Sequence, residues 1–276
     1  MRTCVLGAVG LFALALHAPA VLADFKDDIG YTALVDRGEI LPDGSGMAVI
    51  QVEVESGTGT YMPTLTDPEF VGKTITPRSG ASGAFTHAKI VGWYFYGLTT
   101  SMTPGISTID VYEASGYMGS DSLKTGENNS APSDLSAFDV MNHSWIGTWG
   151  GSDTEILRRF DWQIANSGIV ATVAVNNVTT ETGPWTGQDM PRLLSSSYNA
   201  IAVGVSSLYN SNGPTPIDIP GRAKPDLVAP GGYTSWASPM VGSSSAILLA
   251  QAGNQGWAAA EDPRTIKSIL MAGTEK

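Results

Sequence analysis

The chain has 276 residues, of which 42% are apolar and 15% charged, and carries a formal net charge of −11 at pH 7. That length can bury one substantial core, and that balance fits a folded globular chain rather than a disordered one. The acidic excess, with no basic run, argues against a nucleic-acid or anionic-membrane partner, since both reward clustered Lys and Arg.

Residues 1–23 read as a signal peptide: Arg2 is a positive start, residues 5–16 are apolar but too short to span a bilayer, and Val21 and Ala23 precede Asp24 as a cleavage site would. The expected location is secreted, or periplasmic and cell-envelope, after its removal. Cys4 is the only cysteine, so the mature chain would have none and no disulfide. No other window approaches transmembrane length.

In the mature chain, residues 24–45 are a polar lead-in and read as irregular. Residues 46–54, G-M-A-V-I-Q-V-E-V, predict a central parallel strand ending near Glu53. Residues 56–82 read as loop. In 84–97 the positions of Phe85, His87, Ile90, Val91, Tyr94 and Phe95 predict a helix with one apolar face. A strand is expected over 106–112. A long loop follows over 116–134, where Asp121, Glu127, Asn128, Asn129 and Asp134 supply oxygen ligands of the kind calcium takes. Next come a strand over 138–143 and an amphipathic helix over 154–166, built on Ile156, Leu157, Phe160 and Ile164 and closed by Asn166-Ser167-Gly168. Strands are expected over 168–175, 200–205 and 227–229. Pro239, placed in the first turn, and the small-residue run 241–252 predict a buried helix with Ser235 at or just before its start. Residues 263–273 close the chain as a helix. Strands alternating with helices imply an α/β, three-layer fold, a mainly parallel sheet covered on both faces. Active sites in such sheets gather at the carboxyl ends of strands, where Glu53 and Asn177 fall, with His87 at a helix start.

Thr234 and Ser235 before a helix have two readings, as capping residues or as a nucleophile held where helix partial charge favours a developing anion. The surrounding residues, Ala229-Pro230-Gly231 and Thr234-Ser235-Trp236-Ala237-Ser238-Pro239, resemble the nucleophile segment of the subtilisin-like serine proteases (subtilases, peptidase S8), with Tyr233 where that family has glycine. The resemblance extends over residues 46–273 and includes Gly221-Arg222 and Lys224-Pro225-Asp226-Leu227-Val228. It implies a sheet of about seven strands and hydrolysis of peptide bonds in a domain spanning 46–276. Ser235 would be the nucleophile and His87 the general base, in a degenerate His87-Ala88-Lys89-Ile90-Val91-Gly92 motif. Glu53 falls on the acid position, with Gln51 and Asp67 as competitors. Asn177 falls on the oxyanion asparagine, against a plain Asn-Asn turn. Ser144, Trp145 and Gly147 match the family's substrate-binding edge strand. His143, beside them, reads as shaping that strand rather than moving protons. Trp145 and Trp236 are candidates for an apolar pocket or for the core.

The function implied is a secreted serine endopeptidase acting on a polypeptide substrate as a monomer. The departures at Tyr233, Glu53 and the histidine motif, with no room for a folding-assistant propeptide, also fit a catalytically silent subtilase-fold binding or cell-surface module. No G-x-S-x-G elbow or phosphate loop favours a lipase or nucleotide enzyme. With two histidines left and no mature cysteine, zinc is not expected; no cofactor is, calcium staying open. The chain stops soon after Met271-Ala272-Gly273, where many of that family continue, so a truncated C-terminus is one reading of that end.

Overall fold

The structure is a computed structural model and describes residues 24–127, 129–177, 192–206, 210–218 and 222–274. The expected signal peptide, Asn128 and Gly221 lie outside the described residues. Seven strands make the main sheet: β1 (Ala48–Glu53), β2 (Thr74–Pro77), β3 (Thr108–Glu113), β4 (Val140–His143), β5 (Val170–Ala174), β6 (Ile201–Val205) and β7 (Leu227–Ala229). They pair in parallel throughout, in the spatial order β7-β6-β5-β4-β1-β3-β2. Six of them lie where apolar runs predict them. The seventh, β2, falls within 56–82, read from sequence as loop. It is an edge strand with one neighbour, only half-buried, and it ends in a proline, so it carries no apolar run to announce it.

Four longer helices cover the sheet: α1 (Thr86–Tyr96), α2 (Asp153–Ser167), α3 (Thr234–Gln255) and α4 (Pro263–Gly273). The two-residue period of β1 divides the core. Val49 joins the cluster formed with Phe95 and Tyr96 of α1, Val241 and Leu249 of α3 and Ile266 of α4. Ile50 and Val52 join the opposite cluster with Ile156, Phe160 and Ile164 of α2. Gln51 and Glu53, in phase with Val49, therefore face α1 and α3.

Several local expectations change. The buried face of α1 is Ala88, Val91, Gly92, Phe95 and Tyr96, which leaves His87 and Tyr94 on its flanks rather than within the apolar stripe. Helix α3 begins at Thr234, so Pro239 sits in its second turn, not its first. Residues 24–45 are not wholly irregular: Phe25–Asp28 and Tyr31–Asp36 form short helices, and Phe25 packs edge-on to Tyr94, 5.7 Å between ring centres. The expected loop over 116–134 opens on helical turns at Ala114–Gly116 and Tyr117–Asp121. The end of α2 is as expected: Gly168 takes the left-handed conformation (φ 68°) and its N–H bonds to the Ile164 carbonyl. Among the described residues no helix is long and apolar enough to cross a membrane.

The chain runs from β1 out to β2 and β3 on one side, then crosses to β4 and proceeds to β7 on the other. The strand order reverses between β1 and β4, and the crevice beyond their carboxyl ends is where such sheets bind ligands.

Candidate active site

Glu53 is the last residue of β1 and is wholly buried, while His87, in the first turn of α1, stays about a third exposed. The Glu53 Oε2 lies 2.8 Å from the His87 Nδ1. Burial pulls the imidazole toward its neutral form, but the hydrogen bond and the charge of Glu53 outweigh it, so the His87 pKa stands above 6.5. Burial lifts the Glu53 carboxyl above 4.5, opposed by its hydrogen bond to His87, the His87 charge and a hydrogen bond from Gln51. The Phe85 ring stacks on the imidazole, 5.6 Å between centres.

The competitors for the acid position are committed elsewhere. Asp67 accepts from the Trp93 indole at 3.1 Å and from the Glu69 amide, and its second oxygen lies 3.7 Å from Lys89. Gln51 touches Glu53 rather than His87. Of the three, only Glu53 bonds to the imidazole.

Ser235 is reached by a tight turn. Gly231 has φ 143°, a conformation that side chains resist, and Tyr233 then caps α3 in extended backbone at φ −150° and ψ 151°. Extended backbone suits any residue, which accounts for a tyrosine where the related motif has glycine; its ring is half exposed and meets Trp236 edge-on. Thr234 and Ser235 follow the cap, so neither is the capping residue, and the Ser235 hydroxyl bonds to no group among the described residues. Pro239 has no N–H to give the Ser235 carbonyl four residues before it. The Ser144 hydroxyl takes that carbonyl instead, at 2.7 Å. Behind it, the Asn142 amide donates to Ser144 at 2.9 Å, and its oxygen accepts from Ser238 at 2.7 Å and Thr172 at 3.0 Å. The proline thus creates an acceptor that ties the start of α3 to the end of β4.

Asn177 follows β5. Its Oδ1 accepts from the Thr234 amide at 2.9 Å, with the Thr234 hydroxyl 3.1 Å away. With the oxygen engaged, the Nδ2 group is the end left to donate, and neither it nor the Ser235 N–H meets an acceptor among the described residues.

Glu53, His87, Ser144, Trp145, Asn177 and Ser235 are among the residues that line one cleft of about 380 Å³. No hydrogen bond joins His87 to the Ser235 hydroxyl, a contact that is often long in unliganded sites. The apolar candidates divide. Trp145 lines the cleft with its ring packed into the core, whereas Trp236 stands outside it between Tyr94 and Tyr233. Gly147 lies beyond the cleft lining, against the Trp145 ring. The segment 144–147 leaves the carboxyl end of β4 beyond its last paired residue, His143, and forms no strand of its own. His143 points away from the cleft into the opposite core, among Tyr117, Trp145 and Phe160. No three His, Cys, Asp or Glu side chains converge as a metal site among the described residues.

Sequence reasoning missed Asn142, Ser238, Thr172 and Tyr96. None of them was assigned a part in the site, because their signal is hydrogen bonding to residues distant in the chain, which local pattern does not carry.

Comparison with solved structures yields the prenylagaramide maturation protease PagA, at TM-score 0.55 and 19% identity over 88% of this chain and 87% of that one. A cold-adapted subtilisin-like serine proteinase matches at TM-score 0.52 and 17% identity, covering 84% and 83%. The protease domain of PatA matches at 0.55 and 14%, covering 84% and 90%. This chain has the subtilisin-like fold. No family model and no curated protein matches the sequence. A subtilisin-like architecture thus persists here at identities where sequence comparison alone finds nothing.

Proposed function

We propose that the chain is an exported serine endopeptidase that works through an acyl-enzyme. Ser235 attacks the scissile carbonyl while His87 takes its proton at Nε2; the new oxyanion accepts from the Asn177 amide and the Ser235 N–H; the C–N bond then breaks as His87 returns the proton to the leaving amine. Water activated by the same imidazole releases the acyl group. Glu53 holds the His87 tautomer and stabilises the imidazolium. The polypeptide would lie along 144–147, and export rests on residues 1–23. The observation that carries the reading is the 2.8 Å Glu53–His87 contact at the mouth of the cleft that Ser235 and Asn177 also line.

The test is labelling by a fluorophosphonate probe. Wild type is expected to label, Ser235→Ala and His87→Ala to stay blank, and His143→Ala to label wherever it folds. Folded wild type that stays blank would instead assign the fold to a silent binding module. Asn177→Ala should lower kcat by about 10²–10³-fold with KM little changed, the loss expected for one oxyanion donor. Steady-state kinetics on a peptide substrate checks it, and a loss confined to KM would remove Asn177 from that role.

A further inference from the structure

Gln51 is a neutral polar side chain with no exposure, in phase with Glu53 on β1. Its Nε2 donates to the Glu53 Oε1 at 2.8 Å and to the Ala88 carbonyl at 2.8 Å, and its Oε1 accepts from the Tyr96 hydroxyl at 2.5 Å. Tyr96 and Ala88 lie on α1, the helix that presents His87. Both N–H groups of the amide and its oxygen are engaged, and the chain of bonds ends on the carboxylate that touches the imidazole.

We propose that Gln51 and Tyr96 are positioning residues that hold the Glu53 carboxylate in the orientation His87 requires. A carboxylate with a single partner can turn about its last bond; donors on both oxygens fix its plane. The direction of the chain is also set. Burial and the nearby Glu53 charge keep the Tyr96 phenol protonated, so it donates, and only the amide oxygen of Gln51 can accept. The NH₂ end is thereby turned to Glu53. Without that donor, burial favours a protonated carboxyl, whose lost charge no longer supports an imidazolium, or a rotated one turned off Nδ1. Among the described residues no other charged side chain bonds to Glu53: Glu113, its register partner on β3, is turned to the Gly116 amide.

The inference rests on the reading of His87 as the base, so the experiment reads the imidazole directly. The His87 titration is followed by NMR in the full chain, assigned with His87→Gln. Gln51→Met combined with Tyr96→Phe should lower the His87 pKa by about one unit, a tenfold loss of proton affinity. Tyr96→Phe alone, which keeps the packing, should move it the same way by less, and it decides the matter if the double variant does not fold. The acid limb of kcat/KM should move with the titration. A stability loss with the His87 titration unmoved makes the pair purely structural and overturns the proposal. A wild type that never labels with the probe, yet shows the shift, defeats the peptidase reading and leaves this one standing.

Discussion

Replacing Glu53 by glutamine should lower kcat by about four orders of magnitude, the cost of presenting a triad histidine in the wrong tautomer. The substitution keeps size and shape, and the surroundings decide which way the new amide faces. The Gln51 Nε2 already donates to the position of Oε1 at 2.8 Å, so the new carbonyl oxygen must sit there. Its NH₂ group is then turned to the His87 Nδ1, 2.8 Å from the other oxygen in wild type. The imidazole has to accept at Nδ1 and carry its proton on Nε2, where it cannot receive one from Ser235. The pH profile changes as well. In wild type the Glu53 hydrogen bond and charge raise the His87 pKa above 6.5 against burial, and only the neutral ring is a base, so the acid limb should rise through a midpoint above 6.5. In Glu53→Gln burial acts unopposed and the limb should move below 6.5. Kinetics on one peptide substrate from pH 5 to 9 would test both; a loss under tenfold, or an unmoved limb, would remove Glu53 from the mechanism.

The part of this site legible in the sequence is the part written locally. The apolar run before Glu53, the Ala-Pro-Gly turn and the Ser235–Pro239 spacing each lie on one element, and the structure puts Glu53, His87, Asn177 and Ser235 on one cleft. Most of the fold was legible for the same reason: apolar runs and 3.6-residue spacing report burial directly. What was not legible depends on partners distant in the chain. Pro239 reads as a first-turn residue because its spacing fits one; that the Ser235 carbonyl it frees is taken by Ser144 follows only from β4 lying beside α3. Gln51 competes with Glu53 on paper, since either could close the strand, and becomes its supporting donor only once α1 brings Tyr96 and Ala88 to it. The edge strand β2 was invisible because an edge needs no apolar run. Trp236 and Gly147 match a motif by position, yet the cleft is lined without them.

His143 should make the fold acid-sensitive in a way a single substitution removes. The side chain has no exposure, neither ring nitrogen has a hydrogen-bond partner among the described residues, and the rings packed on it are those of Tyr117, Trp145 and Phe160, none of them charged at neutral pH. Burial pulls its pKa from 6.5 to about 3. The sign follows from proton counting: between those two values the unfolded chain binds the proton and the folded chain does not, so stability is full above 6.5 and falls as pH drops toward 3. The whole window corresponds to at most about 5 kcal/mol, a large share of the roughly 5–15 kcal/mol that holds a domain together. His143→Phe places a ring of similar size among three aromatic neighbours and removes two buried nitrogens that satisfy nothing. At pH 8 it should be more stable than wild type by about 1–3 kcal/mol, the cost of burying an unpaired polar group. By pH 4 the gap should be wider by several kcal/mol, because carboxylates protonate in both proteins while only wild type must also keep a histidine neutral. Urea unfolding of both proteins at pH 8 and pH 4 measures the difference with the shared carboxylate effects cancelled. A gap equal at the two pH values would mean that His143 takes up its proton within the fold, and so that the core between β4 and α2 admits water.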